Sequence, residues 1–157
     1  MYLFYLRLAN ILKNKRLTIS TAESCTGGLL AKYLTDVPGS SVYFKMGIVA
    51  YSNESKIKLL KVKKSTLRKC GAVSEDTATE MVMGLKKLAN TDIAVSITGI
   101  AGPGGGSKKR PVGTVFFGLV VKGELYSYKK WFKGNRNDIR EKSVRFIVSE
   151  IIRKIGG

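Results

Sequence analysis

Two glycine-rich stretches hold the residues best suited to chemistry: Thr21-Ala-Glu-Ser-Cys-Thr-Gly-Gly28 and Thr98-Gly-Ile-Ala-Gly-Pro-Gly-Gly-Gly-Ser107. Each follows an apolar run of strand character. Glycine and hydroxyl residues placed just after strands let bare backbone N–H groups and a nucleophile approach a small ligand. Ser24 sits where a strand gives way to a helix, so its Oγ would lie near helix N–H groups that favour negative charge. Taken alone, the position better suits an N-cap serine. The chain contains no histidine, which excludes a Ser-His-Asp triad within it and leaves Cys25 without a histidine to activate it. Lysine is the natural substitute base, because burial or nearby cations can lower its pKa and leave a neutral amine.

The elements that position these residues can be read from the apolar pattern. Tyr2 to Lys15 carries leucines and Ile11 at near-helical spacing, and Leu17 to Ala22 is a short β-leaning run. Gly27 to Thr35 predicts a helix that Pro38-Gly39-Ser40-Ser41 stops, and Lys45 to Tyr51 predicts a strand. Asn53 is the expected cap of a helix through Leu60. Ser74 opens the clearest helix, with Glu75 and Asp76 in its first turn and Lys86 and Lys87 in its last, charges that complement the helix dipole. Asp92 to Thr98 reads as a buried strand, and Gly113 to Val121 and Glu124 to Phe132 as a hairpin about Lys122-Gly123. Asn137 or Asp138 is expected to cap a last amphipathic helix containing Ile139, Val144, Ile147, Val148, Ile151 and Ile155. Helices interleaved with about five strands imply an α/β layered domain with a mixed sheet.

Composition bounds the possibilities. At 157 residues, 44% hydrophobic and 25% charged, the chain has the size and character of one globular domain. No apolar run approaches the roughly 18 residues of a membrane span, and residues 1–10 lack a cleavable leader pattern, so a cytoplasmic protein with no membrane partner is expected. Cys25 and Cys70 form neither a disulfide scaffold nor a metal-ligand cluster, and no metal or cofactor is expected. The net charge of +17 admits nucleic acid, anionic lipid or an acidic small ligand. Its lysines and arginines are scattered rather than gathered into one tail.

Six segments together resemble the CinA carboxy-terminal domain family, the nicotinamide-nucleotide amidohydrolases, in its stand-alone form. They are Thr21 to Gly28, Val37-Pro-Gly-Ser-Ser41, Gly47-Ile-Val-Ala-Tyr-Ser-Asn-Glu-Ser-Lys56, Gly71-Ala-Val-Ser-Glu75, Thr98 to Gly106 and Pro111-Val-Gly-Thr-Val115. The resemblance implies a three-layer α/β/α fold with a mixed sheet of about five to six strands. It also implies hydrolysis of nicotinamide mononucleotide to nicotinate mononucleotide and ammonia, for pyridine-nucleotide salvage, in a homo-oligomer.

An amide is a poor electrophile, so such a site needs a nucleophile, a base that later protonates ammonia, and donors for the oxyanion. The family pattern assigns Ser24 as nucleophile and points to Lys56 as base. Thr98 matches an active-site position, where its hydroxyl could orient Lys56 or the carboxamide. The oxyanion donors are expected near Cys25 and Thr26 or in the Gly99 to Gly106 loop. Gly27, Tyr51, Gly102, Gly104, Gly105 and Gly106 would line the substrate, and Arg140, with Arg136 second, would hold its phosphate by fork-like hydrogen bonds. Glu23 fits either a partner of Lys56 or a local helix acid. The chain departs from the family pattern at Asn135, where an acidic residue is usual, and at Lys45 and Met46. A basic nucleic-acid-binding module is the alternative, and it would require cations clustered with aromatics and a steep salt dependence.

Overall fold

The computed structural model describes residues 2–156. Five strands, β1 (Ile19–Glu23), β2 (Phe44–Val49), β3 (Ile93–Gly99), β4 (Thr114–Val121) and β5 (Glu124–Trp131), form one sheet in the order β2-β1-β3-β4-β5. β1 runs parallel to both β2 and β3, whereas β4 and β5 are antiparallel to their inner neighbours. The sheet is therefore mixed. The turn joining β4 to β5 uses Lys122 and Gly123, both at positive φ, which is the backbone a two-residue hairpin requires.

Helices cover both faces. On one side α1 (Tyr2–Lys15), α2 (Leu29–Thr35) and α6 (Arg136–Ile155) pack with Ile19, Ile93, Val95, Ile97, Phe117 and Leu119 into the larger core. On the other, α3 (Asn53–Leu60) and α5 (Glu75–Ala89) close a smaller core about Ala22, Ala94, Val120, Met81 and Leu85. This is the three-layer α/β/α arrangement. Among the described residues no helix is long and apolar enough to cross a membrane.

Strand parity assigns each side chain to a layer. Ile93, Val95 and Ile97 of β3 belong to the larger core, while Ala94 belongs to the smaller one and Ser96 donates to the Ala78 carbonyl of α5. The same alternation along β1 sends Glu23 toward α2 and turns Ser24 toward α3. α3 lies unusually close to α5, because a Cβ at Gly84 would sit 1.8 Å from the Leu60 carbonyl oxygen. Only glycine permits that approach.

Two helix caps and one whole helix depart from the sequence expectation. Ser52, not Asn53, caps α3, in a reciprocal capping box with Ser55. Asn135, rather than Asn137 or Asp138, caps α6, and Asp138 supplies the return bond. Asparagine and aspartate cap comparably, so this departure from the family pattern preserves the role an acidic residue would have there. An extra helix, α4 (Lys64–Cys70), intervenes before α5; it buries no residue and its cap position, Lys63, has no side-chain cap. Glu80 of α5 serves it instead, accepting from the Lys63 N–H and the Thr66 hydroxyl.

Candidate functional site

The carboxyl ends of the three parallel strands meet in a cleft of about 290 Å³. Ser24 follows β1, Tyr51 and Lys56 follow β2, and the second glycine stretch follows β3. Sites in open α/β sheets form at this edge of the sheet. The lining includes Ser24, Cys25, Tyr51, Lys56, Ala72, Val73, Thr98, Gly99, Gly102, Gly104, Gly105 and Arg136. A shallower hollow of about 610 Å³ adjoins it beyond Arg136, at the start of α6.

Lys56 is only 1% exposed, yet it forms no ion pair among the described residues. Its Nζ lies 3.0 Å from Ser24 Oγ, 2.8 Å from the Ala50 carbonyl oxygen and 3.4 Å from that of Tyr51. Burial without a carboxylate disfavours the ammonium, so the pKa falls below the usual lysine value of 10.5. A neutral amine has two N–H donors and one lone pair. In that form, with both donors on the two carbonyls, the lone pair would face Ser24 and its hydroxyl would donate; as an ammonium, Nζ donates to Ser24 Oγ.

Ser24 is 8% exposed and held in place by its own N–H, which donates to the Ile97 carbonyl at 2.9 Å. The next residues form a tight turn in which the Gly27 N–H returns to the Ser24 carbonyl and the Leu29 N–H to that of Thr26. α2 begins only at Leu29, behind Gly28. The sequence expectation that Ser24 adjoins the helix N–H groups is thus corrected. The N–H groups of Leu30 and Ala31 are taken by the two carboxylate oxygens of Glu23, at 2.9 and 3.0 Å. Glu23 is therefore the local helix acid and makes no contact with Lys56. The N–H groups of Cys25, Thr26 and Gly28 donate to no other residue among those described.

Cys25 lines the cleft beside Ser24, but burial pushes its thiol pKa up to about 12. It stays protonated at neutral pH and is a poor nucleophile. Thr98 faces the cleft, and its hydroxyl donates to the Ala72 carbonyl at 2.8 Å rather than to Lys56. That bond ties the loop between α4 and α5 to the sheet, with the Ser74 and Thr77 hydroxyls holding the Gly71 carbonyl beside it.

The two arginines separate. Arg136 reaches the cleft, donating to the Gly102 carbonyl at 2.7 Å and to the Tyr51 hydroxyl at 2.9 Å. Arg140, one helical turn later, is directed instead at the Thr26 carbonyl, 2.9 Å away, and does not line the cleft. The expected ranking of the pair is reversed in geometry. Thr26, Gly27 and Gly106 also lie outside the lining. Gly106 has a packing reason to be glycine, since a Cβ there would meet the Val112 nitrogen at 2.8 Å. Ala72 and Val73 were not singled out by sequence reasoning, although the Gly71-Ala-Val-Ser-Glu75 segment that carries them was.

Comparison with known proteins gives a consistent result. The family model described as CinA C-terminal domain matches residues 5–155. A CinA-like protein of Fusobacterium nucleatum is 55% identical over 142 residues, covering 90% of this chain and 34% of the relative. A CinA-like protein of Kosmotoga olearia is 52% identical over 148 residues, covering 94% of this chain and 36% of the relative. The chain thus spans about a third of the length of these relatives. Among solved structures, a competence-damaged protein (CinA) superfamily protein from Klebsiella pneumoniae superposes with a TM-score of 0.94 at 35% identity, covering 99% of this chain and 97% of that one. A competence/damage inducible protein from Agrobacterium tumefaciens gives a TM-score of 0.93 at 38% identity, covering 97% and 93%.

Proposed function

The chain belongs to the CinA C-terminal domain family, and from that premise we propose that it is an amidohydrolase converting nicotinamide mononucleotide to nicotinate mononucleotide and ammonia. The reading is carried by one observation, the 3.0 Å contact between the buried Lys56 amine and the Ser24 hydroxyl. Family resemblance supplies the substrate; the dyad supplies a way to cleave an amide without histidine or metal ligands.

In this mechanism the neutral Lys56 amine takes the Ser24 proton as Oγ attacks the carboxamide carbon. Backbone N–H groups at Cys25 and Thr26, or in the Gly99 to Gly106 loop, serve as donors for the oxyanion. Lys56, then an ammonium, returns its proton to the departing nitrogen, which leaves as ammonia. A water molecule activated by the same amine hydrolyses the nicotinoyl ester on Ser24 and regenerates the hydroxyl. Arg136 holds the phosphate by exchanging its bonds to Gly102 and Tyr51 for phosphate oxygens, a fork geometry that suits it. Tyr51 and the Gly99 to Gly105 backbone then flank the ribose and ring.

The test is ammonia release from nicotinamide mononucleotide by the purified protein and by Ser24→Ala and Lys56→Ala. Both variants are expected to lose at least about 1,000-fold in turnover, as nucleophile and base removals do. Undiminished release in either variant would sink the dyad. No release by the wild type from this or related pyridine carboxamides would sink the hydrolase.

A further inference from the structure

The arginine next in line after Arg136 does something different, and its surroundings say what. Arg140 Nη2 donates to the Thr26 carbonyl at 2.9 Å, across 114 residues of sequence. The same carbonyl accepts from the Leu29 N–H at 3.1 Å, and the N–H on the other side of that peptide, from Gly27, donates to the Ser24 carbonyl at 3.0 Å. The peptide unit between Thr26 and Gly27 is therefore clamped at both ends. The clamp is close: Gly27 is at φ +60, and a Cβ there would come within 3.4 Å of Arg140 Nη2.

The other groups around the turn leave Arg140 few alternatives. Its Nε is buried without an acceptor, and it forms no ion pair among the described residues. Neither does the guanidinium reach the cleft. What it touches is the turn that carries Ser24 and the N–H groups of Cys25 and Thr26, which donate to no other residue among those described.

We propose that Arg140 is a positioning residue for the nucleophile turn: by holding the Thr26 carbonyl it fixes the Ser24 Oγ and the Cys25 and Thr26 N–H groups in the geometry that attack and oxyanion binding require. The inference rests on the reading of Ser24 as nucleophile. It separates two arginines on one helix face by role, Arg136 acting on substrate and Arg140 on the protein's own backbone. A misplacement of about 1 Å at a reacting group can cost on the order of 100-fold in rate, so one lost backbone clamp is enough to be seen.

The experiment compares Arg140→Met, Arg140→Lys and Arg136→Met on nicotinamide mononucleotide and on nicotinamide riboside, which lacks the phosphate. Arg140→Met is expected to lower kcat about 10- to 100-fold with KM within about twofold, and by the same factor on both substrates. Arg140→Lys, which keeps a donor for the Thr26 carbonyl, is expected to recover part of the loss. Arg136→Met is expected to raise KM, and to raise it more on the mononucleotide than on the riboside. Labelling of Ser24 by a fluorophosphonate, followed by mass spectrometry, gives a readout that needs neither substrate: Arg140→Met should label more slowly than wild type, with Arg140→Lys in between. If the wild type labels at Ser24 yet releases no ammonia, the substrate reading has failed and the labelling rates still decide Arg140. The proposal is overturned if Arg140→Met labels and turns over like wild type, or if its defect appears only when the phosphate is present.

Discussion

The two glycine-rich turns occupy equivalent places, each at the carboxyl end of a central parallel strand, and they are built in opposite ways. In the first, Ser24 to Gly28, the carbonyls of Ser24, Thr26 and Gly28 all accept backbone N–H groups, and Arg140 adds a side-chain donor at Thr26. The Ser24 hydroxyl meets only Lys56, and the N–H groups of Cys25, Thr26 and Gly28 donate to no other residue among those described. In the second, the pairs Ile100–Thr114, Gly113–Ile100 and Ser107–Arg110 close the base, while Pro103, Gly104, Gly105 and Gly106 stand exposed. The contrast separates two demands on one cleft. On the proposed reading, the turn that carries the nucleophile is over-determined, and the turn that admits the ligand is tied only at its root and at Gly102, where Arg136 donates to it.

The sharpest way to break this contrast is at the dyad. Lys56→Met should abolish turnover while stabilising the protein at neutral pH, because it removes a buried amine held below its usual pKa. The sign follows from proton binding. Between the lowered folded value and the unfolded value of 10.5, the unfolded chain binds more protons, so wild-type stability rises with pH there. The Lys56→Met advantage should accordingly be largest at low pH and shrink toward pH 10.5 in thermal melts. Activity should also rise with pH, through the lowered Lys56 value, because the proposed mechanism works through the neutral amine. Flat melting curves for both proteins across that range would argue against a strongly desolvated Lys56.

Gly27→Ala should have the next largest effect. It forces an L-residue to φ +60 and crowds Arg140. The backbone penalty of about 1–2 kcal/mol should lower Tm by several degrees for a chain of this size, and kcat should fall more than affinity. Gly102→Ala is the matching change in the second turn. It carries φ +79, and its Cβ would meet Val112 Cγ1 at 2.5 Å, so it too is strained. Its effect should fall chiefly on KM. Gly104→Ala should do least, because nothing lies within 4 Å of its Cβ; Tm should stay within about 1 °C. If Gly104→Ala costs as much as Gly27→Ala, the proposed difference in rigidity is wrong.

Much of this was legible in the sequence wherever a local rule decided the outcome. The buried strand to Thr98, the Lys122-Gly123 hairpin and the Ser74 helix all follow from periodicity, turn chemistry and capping. α4 was not legible: it is Lys64-Ser-Thr-Leu-Arg-Lys-Cys70, buries no side chain, and takes its cap from Glu80 of another helix. A helix held by a distant carboxylate leaves little periodic trace. The capping residues Ser52 and Asn135 were missed because several neighbouring polar residues could each have capped, and only backbone geometry chooses among them.

At the site, Ser24 and Lys56 could be paired from family pattern alone, but the fate of Glu23 needed the sheet. Strand alternation puts it on the opposite layer from Ser24, where it binds α2. The division between Arg136 and Arg140 was likewise out of reach of helical periodicity. Residues four apart share a helix face, so what separates them is which strand-end turn each meets.

The central claim, covalent catalysis by Ser24, is tested most directly by quenching the protein in acid during turnover of nicotinamide mononucleotide and examining the Ser24 peptide by mass spectrometry. The expected result is a nicotinoyl ester bearing the ribosyl phosphate on Ser24, absent from Ser24→Ala, which should release no ammonia. Ammonia release by Ser24→Ala at the wild-type rate, with no adduct on the wild-type Ser24 peptide, would contradict it.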